Sequence, residues 1–206
     1  KSIAMATISS GSVLDISTTT GHLIEVLSGT GTLKVSSATA TATLPTGDIG
    51  AFTGSAGGTV TFYNTGVQDF TIPSNSTFYN LYFEPTTDRY ISFANNSLLV
   101  YNNLTVTGAS QTAVVRLNSA SITSLTVNGS LNVVSGNLQL RSGSSQSMTI
   151  QGNITINNGA IFNVEDSGSN THTLAINGSV INNGTFDMNA ASKCGLTFGG
   201  SSNTGI

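Results

Sequence analysis

Large apolar residues alternate with Thr, Ser and Asn along most of the chain. A short motif, which is a large apolar residue, any residue and a second apolar residue, recurs at intervals of roughly 21–26 residues. The copies are Leu81-Tyr82-Phe83, Leu104-Thr105-Val106, Leu125-Thr126-Val127, Met148-Thr149-Ile150, Leu174-Ala175-Ile176 and Leu196-Thr197-Phe198. Alternation with a period of two is typical of half-buried β-strands. The pattern therefore predicts an all-β protein.

Glycines follow these motifs at fixed positions. One glycine stands at the same offset after five of the copies, and a second glycine follows three of them after another apolar pair. The first set is Gly108, Gly129, Gly152, Gly178 and Gly200, and the second set is Gly136, Gly159 and Gly184. Glycine adopts a positive φ most easily. We therefore expect these residues at turns between strands.

Repeats of roughly 21–26 residues, with two or three short strands each, predict the rungs of a parallel β-solenoid, or β-helix. At ~4.8 Å per rung, the chain would form about nine rungs. A β-sandwich is the alternative, since it also has short strands and regular turns. The residues predicted to point inward are Leu125, Val127, Leu131, Val133, Met148, Ile150, Ile154 and Ile156, and those predicted to point outward are Thr126, Asn132, Thr149 and Thr155.

The repeat is regular only in part of the chain. Residues 60–206 contain the regular rungs, whereas residues 1–59 have longer turn-rich connections and read as wider, irregular N-terminal rungs. Both parts are expected to form one continuous solenoid domain.

The amino-acid composition narrows the range of possible functions. Ser, Thr, Asn and Gly make up half of the chain, charged residues only 7%, and the net charge is −3. The six Lys and Arg residues are scattered, so no basic stripe for nucleic acid is present. No apolar run is long enough to span a membrane. One cysteine, Cys194, cannot form an internal disulfide. This composition favours a secreted or cell-surface location.

The segment "GGTVTFYNTGVQDFTIPSNSTFYNLYF" (57–83), followed by L-T-V-x-G-x-L units, resembles the large secreted repeat proteins of Bacteroidota. The resemblance covers roughly residues 20–206. It implies a β-solenoid segment of a long protein that is displayed on the cell surface or secreted and takes part in adhesion, gliding or the extracellular matrix.

The end of the chain also suggests a longer parent. "LTFGGSSNTGI" (196–206) aligns with "VTFYNTGVQDFTI" (60–72), which implies a second and much longer period that runs from Val60 to Leu196. We therefore expect the chain to be an excerpt from a longer repetitive polypeptide.

Two segments concentrate charge. The first contains Glu84, Asp88 and Arg89, which could serve a solenoid polysaccharide lyase or hydrolase. The second contains Glu165, Asp166 and His172. Both are expected to be solvated loops rather than catalytic or metal sites, because neither has the ligand spacing of a known metal loop. The chain is thus expected to be no enzyme and to bind no metal or cofactor.

Aromatic residues cluster within residues 62–101, and alternation predicts that about half of them point inward. Tyrosine has a polar hydroxyl that can remain in contact with water, so the tyrosines are the aromatic residues most expected to be exposed. Tyr63, Tyr79, Tyr82 and Tyr90 could contact a glycan, which makes a carbohydrate-binding module the second functional hypothesis. The leading one is a structural or adhesive module of an extracellular fibre, with neighbouring repeats or identical subunits stacked end to end as partners.

Overall fold

The structure is a computed structural model that describes residues 2–65, 69–72, 77–93, 97–117, 124–141, 145–165 and 167–199. It is an all-β solenoid of about eight turns, slightly fewer than expected from the sequence. The pairings between its named strands are parallel, which excludes the β-sandwich.

Three parallel sheets form the sides of the solenoid. The long sheet consists of β2 (Val13–Asp15), β4 (Thr32–Val35), β6 (Thr59–Tyr63), β9 (Asn80–Glu84), β12 (Leu104–Thr107), β15 (Leu131–Ser135), β18 (Ile154–Ile156) and β21 (Val180–Asn182). The second sheet consists of β7 (Phe70–Ile72), β10 (Tyr90–Phe93), β13 (Val114–Leu117), β16 (Asn137–Leu140), β19 (Ile161–Val164) and β22 (Thr185–Asp187). The third sheet consists of β8 (Thr77–Phe78), β11 (Ser97–Val100), β14 (Ser124–Val127), β17 (Ser147–Ile150), β20 (Thr171–Ile176) and β23 (Lys193–Phe198).

The first part of the chain is built differently. The strands β1 (Ser2–Ile8), β3 (Leu23–Gly29) and β5 (Thr46–Asp48) form a separate N-terminal sheet, and a single helical turn, α1 (Gly50–Thr53), follows β5. Strands β2 and β4 nevertheless belong to the long sheet and pair in register with the strands above them. Residues 2–59 are thus joined to the regular rungs through the long sheet. The described part of the chain contains no helix that is long and apolar enough to cross a membrane.

Each regular rung runs from the third sheet to the long sheet and on to the second sheet. The number of residues in a rung equals the sequence separation between paired residues in the long sheet. This separation is shortest for the pair Leu14 and Leu33 and among the longest for the pair Leu104 and Leu131. The rungs therefore vary more in length than the motif spacing predicted, because the connections differ in length while the paired strands do not.

The strand series found in the sequence mixes two sides of the solenoid. The motifs at Leu81 and Leu104 lie in the long sheet, whereas those at Leu125 and at later positions lie in the third sheet. The alignment of residues 196–206 with residues 60–72 also matches positions on different sides of the coil; residues 200–206 lie outside the described residues, and the longer period stays a prediction. Leu196 pairs with Leu174 in the third sheet, whereas Val60 lies in the long sheet.

The core is one continuous apolar column inside the coil. All the residues predicted to point inward are at most 2% exposed, and those predicted to point outward are partly exposed. In the rungs that contain β6 to β10 the core is filled by phenylalanine. The Phe62 ring stacks on Phe83 with centroids 6.3 Å apart and meets Phe78 edge-on at 6.1 Å. The phenylalanines of the aromatic cluster are buried and its tyrosines are partly exposed, so the predicted division is confirmed.

Candidate functional site

Two corners of the coil contain the glycines that the sequence singled out. Gly129, Gly152 and Gly178 lie between the third and the long sheet, whereas Gly108, Gly136, Gly159 and Gly184 lie between the long and the second sheet. Gly108 was therefore grouped with the wrong corner. Gly200 lies outside the described residues.

Only some of these glycines need a left-handed backbone. Gly136 and Gly159 have φ of 79° each, as expected of turn glycines. At Gly178 the reason is contact, because a Cβ there would lie 2.3 Å from the carbonyl oxygen of Gly152 in the preceding rung. The corner between the third and the long sheet therefore stacks backbone directly on backbone.

A ladder of side chains joins successive rungs at the same corner. The Asn103 side-chain oxygen accepts from the Ser130 N–H (2.9 Å), the Ser130 hydroxyl accepts from the Asn153 N–H (3.2 Å), and the Asn153 side-chain oxygen accepts from the Ser179 N–H (2.9 Å). Each link satisfies a backbone donor that the turn would otherwise leave unpaired. The role of this corner is therefore structural, because it links successive rungs.

Tyr63 belongs to a charged network on the outer face of the long sheet. Its hydroxyl donates to the carboxylate of Asp15 at 2.9 Å, and the ammonium group of Lys34 lies 4.8 Å from the centre of its ring. Lys34 in turn donates to Glu84 at 2.7 Å. Burial raises the pKa of the Tyr63 hydroxyl, and Asp15 adds to this effect while Ser17 and Lys34 oppose it. The network connects rungs and leaves Glu84 paired rather than available as a general acid.

Of the other predicted tyrosines, Tyr82 shares the outer face of the long sheet with Tyr63, whereas Tyr79 and Tyr90 lie outside that sheet. Tyr82 points outward from the long sheet between Thr61 and Thr105, and Tyr79 lies at the corner before β9. Tyr90 begins a strand of the second sheet, and its ring is covered by the guanidinium of Arg116. The four tyrosines proposed as a glycan contact therefore do not form one platform.

Among the described residues of the two charged segments, the carboxylates are paired or lie in an exposed turn. Asp88 lies in an exposed turn with φ of 54°, beyond the end of the strand that contains the paired Glu84. Glu165 pairs with Arg141 at 3.1 Å on the outside of the second sheet. His172, predicted for a solvated turn with Glu165, is instead completely buried in the core. Asp166 lies outside the described residues.

His172 forms part of a polar column inside the solenoid. Its Nδ1 accepts from the backbone N–H of Gln146 at 3.1 Å, so the neutral ring carries its proton on Nε2, and this Nε2 has no hydrogen-bond partner. Cys194 is the register neighbour of His172 in the next strand, and burial raises the pKa of its thiol to about 11. Burial also lowers the pKa of His172. Both side chains are therefore neutral, and Cys194 packs against the core.

Within the described ranges no three His, Cys, Asp or Glu side chains come close enough together to hold a metal ion. The sequence did not identify Asp15, Lys34, Arg116 or Gln146 as partners of the candidate residues. For Arg116 the available signal was a single arginine at an outward position of the strand "VVRL".

Comparisons of the chain with protein-family models, with curated proteins and with solved structures give no match. Its function is therefore argued from its own geometry.

Proposed function

We propose that the chain is a structural or adhesive module of an extracellular or cell-surface fibre, stalk or filament. In this proposal the stacked rungs act mechanically and the chain performs no catalysis. The observation that carries the proposal is the uninterrupted stacking of strands along the long sheet, from β2 to β21, over one continuous core.

The direction of the hydrogen bonds supports a mechanical role. Parallel strands of successive rungs pair along the axis of the coil, and the Asn and Ser side chains at the corner add further links between rungs. In such repeat structures stability is approximately a sum of terms from each rung and its neighbours. A longer stack therefore gains length and stiffness without a new kind of contact.

The outer surface supports a soluble rod. Outward positions of the regular rungs are mostly Thr, Ser and Asn, as at Thr126, Asn132, Thr149 and Thr155. Several of the few charged groups are used in pairs that cross rungs, among them Lys34 with Glu84. This composition and the low charge favour an extracellular location.

The two ends of the described stack suggest the partners. In the described residues, β1 and β23 each pair with a strand on one side only. Met5 near one end is 70% exposed, and Phe198 near the other is 45% exposed although its register neighbour Ile176 is buried. Strand edges with exposed apolar side chains favour pairing with another strand. The partners proposed are neighbouring repeats or identical subunits stacked end to end.

Negative-stain electron microscopy of the full-length parent polypeptide tests the rod, and the expected result is thin unbranched fibres. Light scattering of this chain at increasing concentration tests the end contacts. We expect linear oligomers that the substitution Phe198→Lys abolishes. The matched control is Val134→Lys, because Val134 is 40% exposed on the side of the rod. Compact particles of the parent, or equal effects of the two substitutions, would contradict the proposal.

A further inference from the structure

Arg116 stands on the outer face of the second sheet and is held there by an aromatic ring. Its guanidinium carbon lies 3.4 Å from the centre of the Tyr90 ring, one rung away. A guanidinium stacked on a tyrosine is fixed in position but keeps its charge and its in-plane N–H donors. Among the described residues no carboxylate forms an ion pair with Arg116, whereas the nearby Arg141 is paired with Glu165. The arginine is thus held in place with no described carboxylate in ion-pair contact, although the charge of Glu165 acts on it.

Three polar atoms without hydrogen-bond partners lie in neighbouring strands of this sheet, at Arg116, at Asn137 opposite Val114, and at Asn163 opposite Gln139. The Nε of Arg116 and the side-chain oxygens of Asn137 and Asn163 are the buried atoms concerned. Ser92 and Gln139 are the register neighbours of Arg116 on the two adjoining rungs, and both are partly exposed. Buried polar groups are nearly always paired in native proteins, so side-chain shifts that bring these atoms to a ligand would gain hydrogen bonds, while Ser92 and Gln139 can reach one directly.

Two carboxylates of the neighbouring residues already have partners. Asp69 accepts from the backbone N–H of Tyr90 at 2.9 Å, and Glu165 is engaged by Arg141. Burial lowers the pKa of Arg116, and the like charge of Arg141 lowers it further, while Tyr90 and Glu165 act in the opposite direction. An anion placed between the two arginines would relieve their repulsion.

We propose that this face, centred on Arg116 and Tyr90, binds a glycan that carries carboxylate groups. The carboxylate is placed against the guanidinium of Arg116, and the sugar hydroxyls exchange hydrogen bonds with Ser92, Gln139 and, after small side-chain shifts, Asn163. A glycan is favoured over an acidic peptide because β10, β13 and β16 are each paired on both sides, so an extended peptide finds no free strand edge here, whereas sugar hydroxyls can both donate to and accept from side chains on a sheet face. The proposal differs from the four-tyrosine contact expected from the sequence, and it does not depend on the rod.

Affinity electrophoresis of the folded chain through gels that contain polygalacturonate tests this site. We expect retardation by polygalacturonate and little by neutral dextran or by poly-L-glutamate, which has carboxylates but no hydroxyls. Arg116→Met should weaken retardation by about tenfold or more, because a hydrogen bond to a charged group is lost. Arg116→Lys should have an intermediate effect, since it keeps the charge without the planar fork.

Lys193→Met, which removes one positive charge from the third sheet, is the matched control and should not change the retardation. Gln139→Leu provides a second variant on the same face should Arg116→Met fail to fold, as judged by circular dichroism, and it should also weaken binding. Equal retardation by poly-L-glutamate would mean general anion attraction and overturn the proposal. Unchanged retardation of Arg116→Met, or of Gln139→Leu, would also overturn it.

Discussion

Substitution of Gly152 tests the claim that backbone packing, not backbone conformation, requires glycine at the corner between the third and the long sheet. A Cβ on Gly152 would lie 2.6 Å from the carbonyl oxygen of Gly129 and 2.7 Å from its carbonyl carbon. The N–H of Gly152 donates to that same oxygen at 2.8 Å. A methyl group therefore separates two rungs at the point where they are hydrogen-bonded.

The magnitude follows from three terms. Overpacking costs about 1–3 kcal/mol, and a weakened hydrogen bond costs about 1 kcal/mol. Replacing glycine by alanine recovers about 0.4–1 kcal/mol, because the unfolded chain loses conformational freedom. We expect Gly152→Ala to lower the free energy of unfolding by about 1–3 kcal/mol on balance.

Gly159 is the matched control, because it has φ of 79° and a Cβ there would meet no atom within 4 Å. Gly159→Ala should cost about 1–2 kcal/mol for the left-handed backbone before the same gain from the unfolded chain. Asparagine tolerates this backbone, so Gly159→Asn should be milder than Gly159→Ala. At Gly152 the order reverses, because the larger side chain of asparagine enters the same contact.

Urea unfolding followed by circular dichroism measures all four variants. The result that refutes the argument is Gly152→Asn at least as stable as Gly152→Ala. In that case the backbone contact between rungs would not be the reason for glycine at this corner.

Three further predictions concern the core. Phe83→Ala should lower the free energy of unfolding by about 3–5 kcal/mol in urea titrations, because the ring is fully buried against Phe62. Tyr82→Ala should lower it far less. Similar losses for the two variants would contradict the assignment of Phe83 to the inner face and Tyr82 to the outer face of the sheet. The pKa of His172 lies below its ordinary value of 6.5, so the unfolded chain binds more protons between the two values. The contribution of His172 to stability should therefore be constant above pH 6.5 and fall below it by at most ~1.4 kcal/mol per pH unit. His172→Gln should remove this part of the pH dependence, and an unchanged curve would show that other groups cause it. The pKa of the Cys194 thiol is raised to about 11, and only 9% of the residue is exposed. The thiol should therefore react with a disulfide reagent slowly in the native chain and rapidly in urea. Equal rates would contradict its burial.

The alternation along the chain was sufficient to predict the fold class and the inward side chains. Leu125, Val127, Met148 and Ile150 occupy the expected positions because a period of two leaves only two faces to choose from. It was not sufficient to assign strands to sheets. The segments "LTVTG" (104–108) and "LTVNG" (125–129) differ at one position, yet they lie on different sides of the coil. Local pattern is the same on every side, and only the strand pairing distinguishes them.

The sites were less predictable than the fold. The tyrosines could be identified as partly exposed, but their partners depend on which residues the coil brings side by side. Tyr90 meets Arg116 on the following rung, whereas Tyr63 meets Asp15 two rungs before it. Irregular connections set these offsets, so no fixed repeat length yields them.

The corner between the third and the long sheet has the same length in four consecutive rungs. Its strands end and begin at the same spacing from Val100 to Leu104, from Val127 to Leu131, from Ile150 to Ile154 and from Ile176 to Val180. The other two corners vary in length. A rung cut at the constant corner would therefore be an interchangeable unit, whose duplication or loss leaves the phase of its neighbours intact. Duplication or loss of such units would then change how far the molecule reaches, and selection could act on that length.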